Sequence, residues 1–84
     1  MPLPDKDPET WTIEQVKDWA ENTFTFGKDL GEQLVENDVD GSILLAHITQ
    51  QTLKSYLSIK SLGQTIKILE AIKELRGMSL IFVL

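Results

Sequence analysis

The chain of 84 residues is 42% hydrophobic and 25% charged, carries a formal net charge of −5 and has no cysteine. That length accommodates a single core, and the absent thiols exclude disulfides, thiolate metal sites and cysteine nucleophiles. One histidine, His47, leaves no histidine metal cluster; no apolar run nears the roughly 20 residues that span a bilayer; the acidic balance argues against general affinity for phosphate backbones. A disulfide-free domain this small points to an intracellular setting, cytoplasmic in the first instance, with the nucleus open.

Residues 1–10 hold all three prolines and several charges without an apolar period, and read as a flexible leader. Thr12 and Gln15 form a T-x-x-Q capping box, with Trp11 and Val16 at the two positions of a hydrophobic staple. Ile13, Val16, Trp19 and Ala20 recur on one face and predict a first helix to about Thr23, with Trp11 and Trp19 in the core. Phe24 and Phe26 follow as loop anchors, and Gly27 breaks the pattern. Residues 28–37 predict a short second helix with Leu30, Leu34 and Val35 inside and Asp29, Glu32 and Glu36 outside. Gly31 weakens it, because glycine costs up to about 1 kcal/mol against alanine in a helix interior.

Residues 37–41 (NDVDG) are turn chemistry, with Asp40 as N-cap of a brief helix through Ile43, Leu44 and Leu45. Thr49 caps a fourth helix from Gln50 to about Tyr56 that buries Leu53 and Leu57. Ser61-x-x-Gln64 is a second capping box and opens the longest helix, with Leu62, Ile66, Leu69, Ile72 and Leu75 as its apolar face and Gly77 as its stop. The fold class is all-α: four short helices and one long C-terminal helix over residues 11–77. Residues 78–84 are an apolar tail, either the start of a neighbouring segment or a stretch that folds back on the bundle. If Leu84 ends the protein, Phe82-x-Leu84 with a free carboxylate suits a domain that captures C-termini.

Charge divides the chain. Residues 1–40 hold 11 acids and three bases, whereas residues 41–84 hold two acids and five bases. Such a split either serves solubility or makes a bipolar surface on which one copy's acidic side meets another's basic side. Screening acts over about 8 Å at physiological salt, so only local clusters count.

Three segments resemble one family, the sterile alpha motif (SAM) domain. They are Trp11-Thr12-x-x-x-Val16-x-x-Trp19, Asn37-Asp38-Val39-Asp40-Gly41-x-x-Leu44-Leu45, and Leu57-x-Ile59-x-Ser61-Leu62-Gly63-x-x-x-Lys67-Ile68-Leu69-x-x-Ile72. Their order and separation cover residues 11–76. Two departures are the Phe24–Gly27 insertion after the first helix and Gly31 in the second. The resemblance implies a five-helix bundle that binds proteins, often other SAM domains head to tail. It implies an acidic mid-loop surface, here Glu32, Glu36, Asp38 and Asp40, and a basic end-helix surface, here Lys60, Gly63, Gln64 and Lys67. A few members bind RNA hairpins through a basic patch at the same helix start. Here Lys60, Gln64 and Lys67 make a small patch on an acidic chain, so RNA is the alternative reading.

The physics of the end-helix surface is simple. A helix N-terminus carries about half a positive charge and free N–H groups. Gly63 would let a partner backbone approach, or would merely fit tight packing beside the first helix. Chemistry elsewhere is sparse. His47 reads as structural, and nothing positions it against Ser42, Ser58 or Ser61 as a nucleophile–base set. Asp38-x-Asp40-Gly41 lacks the remaining ligands of a calcium loop, no glycine-rich phosphate loop exists, and Tyr56 reads as partly buried packing more than as a phosphorylation site. The expectation is a non-enzymatic interaction module without cofactor or metal, whose partner is another SAM domain, its own copy or a different one.

Overall fold

The computed structural model describes residues 7–78. They form α1 (Ile13–Thr23), α2 (Gly27–Glu36), α3 (Gly41–His47), α4 (Gln50–Ser55) and α5 (Leu62–Met78), after one turn of 3-10 helix at Pro8–Thr10. Local hydrogen bonds fix most helix starts. The Thr12 hydroxyl accepts from the Gln15 backbone N–H at 3.2 Å, and the Gln15 side-chain Oε1 accepts from the Thr12 N–H at 2.9 Å, which closes the box. Asp40 Oδ1 accepts from the Ile43 N–H at 3.0 Å. Thr49 and Thr52 form the second closed box. At α5 the Ser61 hydroxyl accepts from the Gln64 N–H at 3.3 Å, without the return bond, so the box expected there is half made.

No side chain caps α2, and packing sets its start instead. A Cβ on Gly27 would lie 1.9 Å from the Ala20 carbonyl oxygen, and one on Gly31 would lie 3.1 Å from Lys17 Cγ. Both glycines turn their bare sides to α1, so the residues that weaken α2 in isolation allow the close α1–α2 pair. The end of α2 is a Schellman motif: the Val39 N–H donates to Leu34 O at 2.9 Å and the Asp38 N–H to Val35 O at 3.1 Å. Asp38 is left-handed, with φ of 54°, and buried Val39 and Leu34 supply the apolar contact that accompanies the motif.

The core runs through every helix: Trp11, Val16, Trp19 and Ala20, Leu30 and Leu34, Leu44, Leu45 and Ile48, Leu53 and Leu57, then Ile68, Ile72 and Leu75. Aromatic rings line the α1–α2 corner. Trp11 and Trp19 have centroids 6.4 Å apart, Trp19 meets Phe24 edge-on at 5.4 Å, and Phe24 stacks on Phe26 at 4.9 Å. Arg76 Nε donates to Leu45 O at 2.6 Å, so the end of α5 satisfies a carbonyl in the last turn of α3.

Four sequence expectations are corrected. The inner face of α5 is Thr65, Ile68, Ile72 and Leu75, whereas Leu62 and Ile66 are 69% and 51% exposed. Gly77 does not stop α5, which continues through Met78; a left-handed C′ residue is what a glycine stop requires, and Gly77 has no positive φ. Pro8–Thr10, assigned to the leader, are folded, with Pro8 buried beside Gly41. A Cβ on Gly41 would lie 2.0 Å from Pro8 O, and the Gly41 N–H donates to Trp11 O at 2.9 Å. Tyr56 is 66% exposed rather than packed, because it caps the last turn of α4 on the outer side. The Leu80–Leu84 tail lies outside the described residues.

Candidate interaction surfaces

The four predicted acids do not form one cluster. Glu32 and Glu36 project from α2 at i and i+4 and are exposed. Two like charges at that spacing repel by a few tenths of a kcal/mol. Asp38 follows at the negative end of the same helix, again exposed. Asp40 is different: its carboxylate caps α3 and also accepts from the Ser42 hydroxyl at 2.9 Å. The cap expected of Asp40 is made, and the residue stays half-exposed.

The basic side is built from the α4–α5 connection. Lys60 and Lys67 are exposed, and Gly63 stands in the first turn of α5 with only Ser61 Oγ, at 3.9 Å, near its absent side chain. Tight packing therefore does not explain this glycine. Lys54, which sequence reasoning passed over, lines one groove with Lys60, Leu62 and Gln50. Only the tertiary fold brings α4 beside the start of α5; five intervening residues separate the two lysines, and no local period links them. On α5 itself Lys67 lies about 140° around the axis from Leu62, so Lys60 and Lys67 flank the helix start on different sides.

Glu32 and Gln64, assigned to opposite surfaces, line one groove together with Phe26, Asp29, Leu57 and Ile59. A further groove between α1 and α2 carries Glu14, Lys17, Glu32 and Glu36. Lys17 Nζ pairs with Glu21 Oε2 at 3.0 Å, and the hydrogen bond and charge of Glu21 raise the lysine above its ordinary pKa. By contrast, Asp29, Glu32, Glu36, Asp38, Lys54, Lys60 and Lys67 make no ion pair among the described residues. A fourth groove between α3 and α4 is lined by Val39, Ile43, His47, Ile48 and Tyr56. Among the described residues no group of three acidic, histidine or cysteine side chains could hold a metal, and no helix is long and apolar enough to cross a membrane.

Five helices, two reciprocal caps and a long α5 agree with the comparison to known families. A family model described as SAM domain (Sterile alpha motif) matches residues 8–76, and the chain belongs to that family. SAM domains are in general protein–protein interaction modules, typically without catalytic activity, and commonly bind other SAM domains. No curated protein matches the chain significantly.

Proposed function

We propose that this domain pairs with another SAM domain, a second copy or a different one, by setting acidic residues against basic ones. The acidic side is Glu32, Glu36 and Asp38, with Asp40 contributing through its cap position; the basic side is Lys60 and Lys67 around Gly63 and Gln64, joined by Lys54. The unit that pairs is residues 11–77 together with the 3-10 turn before it.

The observation that carries this reading is the set of exposed charges of opposite sign on one small domain, unpaired among the described residues. Inside the chain those acids are unfavourably placed, by like-charge spacing on α2 and by the negative end of its dipole. A partner's ammonium groups relieve both effects. The uncrowded Gly63 supports the reading further, since it leaves the start of α5 open to close approach. Charge pairing of exposed groups sets orientation and rate more than affinity, so the association is modest and salt-sensitive.

Sedimentation of the purified chain, alone and with a panel of other SAM domains, tests this. Association should weaken as salt rises, and Lys60→Glu should weaken it about tenfold. Association that ignores both salt and Lys60→Glu, or a chain that pairs with nothing, contradicts the proposal.

A further inference from the structure

Two shallow grooves flank the connection from α4 to α5. Asp29 and Glu32 stand on one, over Phe26 and Leu57; Lys54 and Lys60 stand on the other, beside Leu62. Ile59 lines both grooves and forms the ridge between them. The first groove has two carboxylates and no cation among its lining residues, and the second has two ammonium groups and no carboxylate. Charge therefore changes sign across a single apolar ridge. Beside that ridge, on the basic groove, Leu62 is 69% exposed, the largest exposure among the large hydrophobic side chains described.

A contact about a two-fold axis uses the same patch on both copies, so the patch must complement its own image after half a turn. A patch with acid on one side of a ridge and base on the other meets that condition. Rotation brings the acids of each copy over the bases of its neighbour, twice over, and stacks ridge on ridge. Open-ended, head-to-tail growth needs the two charge sets on surfaces that face apart, whereas Glu32 and Lys60 are one ridge apart.

We propose that a second copy of this chain docks on the α4–α5 connection about a two-fold axis. Leu62 of both copies lies near that axis, with Asp29 and Glu32 of each against Lys54 and Lys60 of the other. The proposal rests on the charge-pairing reading above and adds its symmetry: the assembly closes at two chains. The apolar centre gives the contact the desolvated middle that rim charges alone lack.

The native chain has no cysteine, so a single introduced thiol reports cleanly. A disulfide needs Cα atoms about 4.4–6.8 Å apart, a spacing that residues on a two-fold axis meet with their own copies. Under mild oxidation Leu62→Cys should yield a covalent dimer, while Lys73→Cys, about 16 Å along the same helix, should not. In parallel, the mass of the wild-type chain by sedimentation equilibrium should level at two chains as concentration rises. Mass that climbs past two, with no self-link through Leu62→Cys but with Lys60→Glu still disruptive, overturns the two-fold docking and leaves charge pairing standing. A wild-type monomer at every concentration also overturns the docking. Association unmoved by Lys60→Glu overturns both.

Discussion

Asp38 puts a carboxylate where backbone and field both disfavour it. A non-glycine residue in the left-handed region costs on the order of 1–2 kcal/mol, reduced for Asp, and the C-terminus of α2 presents about half a negative charge to it. Its side chain makes no hydrogen bond among the described residues that would offset this. Asp38→Gly should therefore raise stability by about 0.5–1 kcal/mol in a thermal melt, while it weakens association if the acidic side is used. A lower melting temperature would show that the turn is unstrained. Gly63 is the mirror case: its absent side chain has room, so Gly63→Ala should stabilise the isolated domain by about 0.4–1 kcal/mol. Loss of stability there would mean that the glycine serves packing after all. The sequence places both residues at helix ends; the sign of φ at Asp38 and the open space at Gly63 come only from the packed chain.

At the scale of elements, caps were legible and register was not. Thr12, Asp40 and Thr49 each bond the N–H three residues on, as their residue types and spacing predict. The face of α5 is ambiguous in the sequence because Leu62, Ile66 and Leu69 continue the period of Ile72 and Leu75 as regularly as the true inner row does, while the inner row begins with polar Thr65. Periodicity cannot choose between two apolar rows on one helix; contact with α3, α4 and the 3-10 turn does. The distinction is measurable. Ile68→Ala should cost about 2–5 kcal/mol by chemical denaturation, whereas Ile66→Ala should stay within about 0.5 kcal/mol of wild type. Equal losses at the two positions would contradict the inner face described here. The second helix teaches the converse lesson, since Gly27 and Gly31 argue against it in isolation and are the residues that let it lie close to α1.

For the whole molecule, the residue types of the candidate site were legible in the charge split along the chain, but their neighbours were not. Tertiary folding sets Lys54 beside Lys60, moves Glu32 next to Gln64, and diverts Asp40 into capping. The 2.6 Å bond from Arg76 to Leu45 O ties α5 to α3, so the start of α5 is carried on a braced helix. Charge set on such a frame can be exchanged between copies without disturbing the core. The most direct measurement is therefore sedimentation of Glu32→Lys and Lys60→Glu, first separately and then in equal mixture. Each variant alone should be driven toward monomer, because like charges then face each other. Mixing should restore association, since the intact lysine of one chain meets the intact glutamate of the other and the two reversed residues pair as well. A mixture no more associated than its two components would contradict the claim that opposite charges on this domain hold its complexes together.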